Sequence, residues 1–224
     1  VEAQAACRHV RNLHDLIDIF VCRAAGYQYA FHRVRSFLIA RKNNTIILPH
    51  NIWGVQMQIV AATHNKDKIR EIRQILAGID VEVLSLDDVG LEAVDVEEDG
   101  DTFEKNAVLK AEAISRASGM AALADDSGLC VDALWGEPGV YSARYAGPDA
   151  DTQANNLKLL TQMRHVPEPL RTGRYVSAVA LAYPDGETIT VRGECPGRVL
   201  ADQRGSGGFG YDTLFAPDGS DRTF

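Results

Sequence analysis

Basic charge, cysteine and long apolar runs are all scarce in this sequence, and each shortage removes a class of protein. The 224-residue chain carries 23 Lys and Arg against 31 Asp and Glu, a net charge of -8. That balance argues against a nucleic-acid polymer as partner, because polymer binding needs a basic stripe that neutralises many phosphates. A small anionic ligand held by a few lysines and a metal stays open. The four cysteines, Cys7, Cys22, Cys130 and Cys195, are widely scattered, with neither C-x-x-C spacing nor a dense framework, so reduced thiols in a cytoplasmic protein are expected. No apolar run approaches the roughly 18 residues of a membrane-spanning helix. A basic start followed by an apolar stretch and a small-residue cleavage site is also missing from the N-terminus, so no membrane association is expected.

Charge is unevenly divided. Residues 1–56 hold seven positive and three negative side chains, whereas the remaining 168 residues hold sixteen and twenty-eight. Such a shift predicts a boundary: an N-terminal extension over 1–56 and an enzyme domain over 57–224. Within the extension, Leu13, Leu16, Ile17, Phe20 and Val21 recur at helical spacing. The arginine-rich stretch 31–41 is open to reading as a targeting or membrane-surface segment, or as having no role in the fold.

From Met57 the pattern is strand, loop, helix. The loop contains Thr63, His64, Asn65, Lys66, Asp67 and Lys68, and the helix carries Ile69, Ile72, Ile75 and Leu76 up to Gly78. Asn65 is placed to cap that helix, leaving free N–H groups and the positive dipole end as an anion site. An ordinary capped helix with solvated lysines reads equally from these residues. A strand over 81–86 precedes an acidic stretch with Glu97, Glu98, Asp99 and Asp101, and most such carboxylates form a solvated face. Thr102 then caps a helix whose Phe103, Ala107, Ala111 and Ile114 form one stripe, with Lys110 off it.

A strand over 120–124 runs into Asp125, Asp126, Ser127 and Gly128. Adjacent acids at the carboxyl end of a strand repel one another, and a divalent cation relieves that cost; a Ser-Gly turn donating N–H bonds to one Asp is the alternative. Oxygen ligands with few competing His or Cys favour Mg²⁺ over zinc. Residues 136–145 form a Gly/Pro-punctuated loop, and a helix over 151–163 is expected to turn Leu157, Leu160 and Met163 inward. Two alternating strands, 174–183 and 187–193, joined by Pro184, Asp185 and Gly186, predict an antiparallel hairpin building a second lobe. Glycines crowd around Phe209, Gly210, Tyr211 and Asp212 before a short strand over 214–216. Phe209 there offers a flat face to a base and Asp212 an acceptor at the pocket edge, with a flexible surface loop as the alternative.

The ordered set A-T-H-N-K-D-K, E-E, F-E-K-N-A-V-L-K-A, A-D-D-S-G-L, P-G-V-Y-S-A-R-Y and G-G-F-G-Y-D resembles the inosine triphosphate pyrophosphatase family from Met57 to Phe224. The resemblance implies an α/β fold, a mixed β-sheet with flanking helices, two lobes around a central nucleotide cleft, and a homodimer. It implies hydrolysis of deaminated purine triphosphates (ITP, dITP, XTP) to the monophosphate and pyrophosphate. Residues 63–68 would hold the triphosphate, with Lys68 and Lys110 reaching phosphate oxygens. Glu98 and Asp126 would hold Mg²⁺, Asp126 would also act on the attacking water, Ser127 would contact substrate, and Phe209, Gly210, Tyr211 and Asp212 would frame the purine.

The sequence departs from the pattern at His64, where many members have Gly, and at Thr213, where Pro is usual. No counterpart of the family's C-terminal lysine and Ser-His-Arg motif precedes Phe224, so a C-terminally truncated base pocket is expected. Two other readings follow: an inactive nucleotide-binding remnant, or a relative that prefers modified pyrimidines.

Overall fold

A computed structural model describes residues 57–77, 81–205 and 208–224. The extension, the helical repeat at 13–21, the arginine-rich stretch and the Gly78 helix end lie outside the described residues. Strand β1 (Met57–Ala61) leads into helix α1 (Lys66–Ile75), then strand β2 (Val81–Leu84). Helix α2 (Phe103–Ser118) feeds the long strand β3 (Ala121–Val131). Helix α3 (Thr152–Met163) precedes strands β4 (Thr172–Ala182) and β5 (Thr188–Val199), and the short β6 (Phe215–Pro217) follows. The strands form one sheet in the order β2-β1-β3-β4-β5-β6. β1 pairs parallel with β2 and β3, and β5 pairs antiparallel with β6. The sheet is mixed and the class α/β, as expected.

Two compact units divide the described chain, one of residues 57–126 with 178–192, the other of 127–177 with 193–224. In the first, β1 lies between β2 and β3, so the chain departs to one side of β1 through α1 and returns to the other through α2. The carboxyl end of β1 is therefore a topological switch point, the position at which open α/β sheets bind ligands. β1 is nearly continuous in apolar residues because parallel strands are covered on both faces; Ile59, Val60 and Ala61 are fully buried. Ile69, Ile72 and Ile75 of α1 and Phe103, Ala107, Ala111 and Ile114 of α2 are buried at the predicted spacing.

The second unit is built around Leu129, Val131, Leu159, Met163, Val199, Leu214 and Phe215, with Tyr145 and Tyr211. Here α3 differs from expectation in part. Met163 is buried and Leu160 packs against this core, but Leu157 is 65% exposed and Asn155, Asn156 and Leu159 join the inward face. Asn155 explains the rotation: its Oδ1 accepts the Ala146 N–H at 2.7 Å and its Nδ2 donates to the Ala143 carbonyl at 2.9 Å, tying the preceding loop to the helix. The hairpin also differs. Its turn is as read, with Tyr183 N–H donating to the Glu187 carbonyl and Gly186 at φ 94°, but its tip, 178–192, clusters with the first unit. Thr188 donates to Glu112 and Arg192 pairs with Glu104, both on α2, so the hairpin does not form a lobe of its own. No helix among the described residues is long and apolar enough to cross a membrane.

Candidate active site

The loop after β1 is ordered by its own side chains. Thr63 Oγ1 accepts the Asn65 N–H at 3.2 Å. Asn65 caps α1, its Oδ1 accepting the N–H groups of Asp67 at 2.9 Å and Lys68 at 3.4 Å. His64 Nε2 lies 2.9 Å from the Val94 carbonyl, which can only accept, so the ring donates and ties the loop to the acidic segment. Lys66 is exposed, and Asp67 pairs with Arg70 on the same helix at 2.8 Å. Lys68 turns inward, with Nζ 2.5 Å from Asp125 Oδ2. Burial pulls the Lys68 pKa down, but the Asp125 carboxylate, its hydrogen bond and the charges of Asp126 and Glu98 outweigh that and hold it above its ordinary value.

Asp125 and Asp126 do not sit in a turn. Both belong to β3, which continues through them to Val131, so the Ser-Gly turn reading is corrected. Consecutive strand residues face opposite ways, yet both are buried, and Ser127 is the exposed residue of the strand. A second lysine meets the second acid. Lys110 Nζ lies 3.1 Å from Glu98 Oε2 and 3.9 Å from Asp126 Oδ1, with 13% of its side chain exposed. Asn106, one turn earlier on α2 and fully buried, donates from Nδ2 to Asp126 Oδ2 at 3.0 Å. Burial raises the Asp126 pKa, against the lowering influence of Lys110, Asn106 and Lys68; Glu98 adds to the rise.

Two ion-paired groups, Glu98–Lys110–Asp126 and Asp125–Lys68, thus meet at adjacent residues of β3 beside the α1 N-terminus. Among the described residues no group of three or more His, Cys, Asp or Glu is arranged to cage a metal. Glu98 and Asp126 are the carboxylates that could hold a divalent cation, since such ions can be bound through one or two carboxylates together with substrate phosphates. Glu98 is the acid that meets Lys110.

Residues 59–224 match the model of the Ham1 family. The chain belongs to the Ham1 family. It is 47% identical over 167 residues to a dITP/XTP pyrophosphatase of Leifsonia xyli, covering 75% of this chain and 82% of the relative. To a dITP/XTP pyrophosphatase of Geobacter sulfurreducens it is 51% identical over 158 residues, covering 70% and 79%. Among solved structures, a nucleoside-triphosphatase / dITP/XTP pyrophosphatase from Mycobacterium abscessus superposes with a TM-score of 0.66 at 43% identity, covering 75% of this chain and 87% of that one. The Staphylococcus aureus Ham1 protein does so with a TM-score of 0.68 at 40% identity, covering 74% and 84%.

In this Ham1 family member the glycine-rich loop of the second unit divides its residues between surface and core. Residues 206–207 lie outside the described residues. Phe209 is half-exposed, whereas Tyr211 and Asp212 are buried. Tyr211 donates its O–H to the Ser142 carbonyl at 2.9 Å. Asp212 accepts the Tyr175 O–H at 3.1 Å and the Phe209 N–H at 2.9 Å, so it anchors the loop. Gly208, at φ 77°, leaves no room for a Cβ against the Asp212 carboxylate. Phe209 is thereby the ring presented outward, with Gly210 at φ 61° behind it.

Proposed function

We propose that the chain hydrolyses dITP, XTP and ITP to the nucleoside monophosphate and pyrophosphate. The observation that carries the reading is the assembly of Lys68, Lys110, Glu98 and Asp126 at the switch point of β1, in a chain that aligns with dITP/XTP pyrophosphatases over most of its length. Phosphoanhydride cleavage requires chiefly positioning and neutralisation of developing charge. Residues 63–68 supply backbone N–H groups at a helix N-terminus, and Lys68 and Lys110 supply ammonium groups for phosphate oxygens.

Glu98 and Asp126 would hold Mg²⁺, which when bound offsets charge on the triphosphate and makes a coordinated water more acidic. Asp126 takes the proton from the attacking water, as a carboxylate held within reach of that water can. Ser127, exposed on β3, contacts substrate. Phe209 offers the purine a face, and Gly210, Tyr211 and Asp212 hold that ring in place. Met57 begins the domain, two residues before the family match starts, and residues 1–56 stand outside it. A homodimer acting on the cytoplasmic nucleotide pool completes the reading, and light scattering on the purified chain tests the dimer. The inactive-remnant reading is weaker, because the charged groups needed for turnover are present and assembled.

The test is pyrophosphate release from dITP and XTP against dATP, dGTP and a methylated pyrimidine triphosphate, with Mg²⁺ or with chelator. Preference for the deaminated purines, abolished by chelator, is expected. Equal turnover of all five, or none, overturns the assignment.

A further inference from the structure

Asn106 is the one fully buried polar side chain of α2 that touches the catalytic carboxylate, and its amide has a fixed orientation. Its Oδ1 accepts the Gly100 N–H at 2.8 Å. A backbone N–H can only donate, so the oxygen must face Gly100 and the NH₂ must face Asp126. The NH₂ occupies Asp126 Oδ2 at 3.0 Å, leaving Oδ1 as the oxygen directed to the Lys110 side, at 3.9 Å.

The same amide also controls the second acid. Gly100 lies two residues beyond Glu98, so its bond to Asn106 ties down the segment that carries Glu98. The approach is close: a Cβ on Gly100 would come 2.5 Å from Asn106 Oδ1 and 2.9 Å from Lys105 Cβ. One neutral side chain therefore spans the acidic segment and β3, with each of its hydrogen-bonding ends assigned.

Resting on the proposed function, we propose that Asn106 is a positioning residue. It aims Asp126 Oδ1 at the reacting water and sets the Glu98 segment relative to Asp126, so it acts on the chemical step and not on capture of the triphosphate. It makes no bond to substrate in this scheme. Triphosphate capture is left to residues 63–68 and the two lysines.

Asn106→Asp and Asn106→Ala separate the two ends of the amide. The aspartate keeps an acceptor for the Gly100 N–H and removes the donor to Asp126; alanine removes both without adding charge. Four quantities are read on the full chain: kcat and KM for dITP with Mg²⁺, the affinity for a dITP analogue with an α,β-imido bridge, and hydrogen-exchange protection of the Gly100 amide. Both variants are expected to lose about 100-fold in kcat, the scale of a misplacement near 1 Å. KM and analogue affinity are expected to stay within about threefold. Gly100 protection is expected to fall in the alanine variant and persist in the aspartate variant.

Wild-type kcat in either variant overturns the proposal, as does a loss confined to KM and analogue affinity. Should the alanine variant fail to fold, the aspartate variant decides alone. A wild-type chain that releases no pyrophosphate sinks the parent reading, whereas an active wild type matched by Asn106→Asp sinks only this one.

Discussion

Lys68 Nζ and Asp125 Oδ2 lie 2.5 Å apart, linking the first turn of α1 to the middle of β3 with little access to water on either side. Truncating one partner leaves the other charge in a desolvated site, and breaking such a pair costs about 3 kcal/mol or more. Asp125→Asn is therefore expected to lower unfolding stability by about 3 kcal/mol, read by urea denaturation. Lys68→Met combined with Asp125→Asn should be less destabilised than the sum of the two single variants, because the double variant strands no charge. Strict additivity would show that the pair is not energetically coupled.

Much of this half of the site was legible in the sequence. Asn65 before an apolar repeat marked the cap, and Thr102 marked the start of α2 in the same way. The stripe Phe103, Ala107, Ala111, Ile114 placed Lys110 correctly as an off-stripe cation. Asn106 was missed, although it sits four residues before Lys110 and interrupts an inward face that is otherwise apolar; periodicity counts apolar residues and passes over a buried amide. For Asp125 and Asp126 the sequence leaves a cation site and a Ser-Gly turn both open beyond a strand ending at Ala124, since acids and Gly are rare in strand interiors. The structure keeps them in β3 by supplying Lys68, Asn106 and Lys110 as partners, which no local pattern contains. Tyr211 and Asp212 show the same limit, since their partners Ser142 and Tyr175 are tens of residues away.

Arg171 is a buried guanidinium whose hydrogen bonds run to backbone carbonyls. Nε donates to Val199 at 2.9 Å, Nη1 to Met163 at 2.8 Å, and Nη2 to Leu200 at 2.9 Å. It thus fastens the end of α3 to the end of β5. Arg171→Met should destabilise the fold by about 3 kcal/mol, since the carbonyls lose a charged donor and gain none. Arg171→Lys should recover less than half of that, because one ammonium cannot reproduce the planar fork. Thermal melts of the three proteins decide it; a lysine variant as stable as wild type would mean that charge alone suffices.

Trp135 occupies the left-handed region at φ 56°, ψ 31° with its side chain 98% exposed. A bulky residue there carries backbone strain of about 1 kcal/mol or more, and this one has no packing to offset it. Asn tolerates the conformation, so Trp135→Asn is expected to raise stability by about 1 kcal/mol. Gly should gain less, because it adds freedom to the unfolded chain. A fall in melting temperature for Trp135→Asn would reveal a contact that the exposed ring makes.

Three tyrosines of the second unit should retain their protons at a pH where an unfolded chain loses them. Burial pushes the Tyr145 phenol up to about 12, helped by its bond to the Glu137 carboxylate. Burial likewise raises Tyr175, with the Asp212 carboxylate adding to it, and raises Tyr211 further than Tyr145. Between about pH 10, the ordinary tyrosine value, and the folded values, the native chain holds more protons than the unfolded one, so stability falls as pH rises. The stabilisation is complete below about pH 10 and drains away above it. Phenolate absorbance should show at least three of the seven tyrosines absent from the first ionisation step of the native chain and present in that of the chain in urea. Appearance of all seven in one step near pH 10, with near-ultraviolet circular dichroism still native, would mean that these phenols reach water without unfolding.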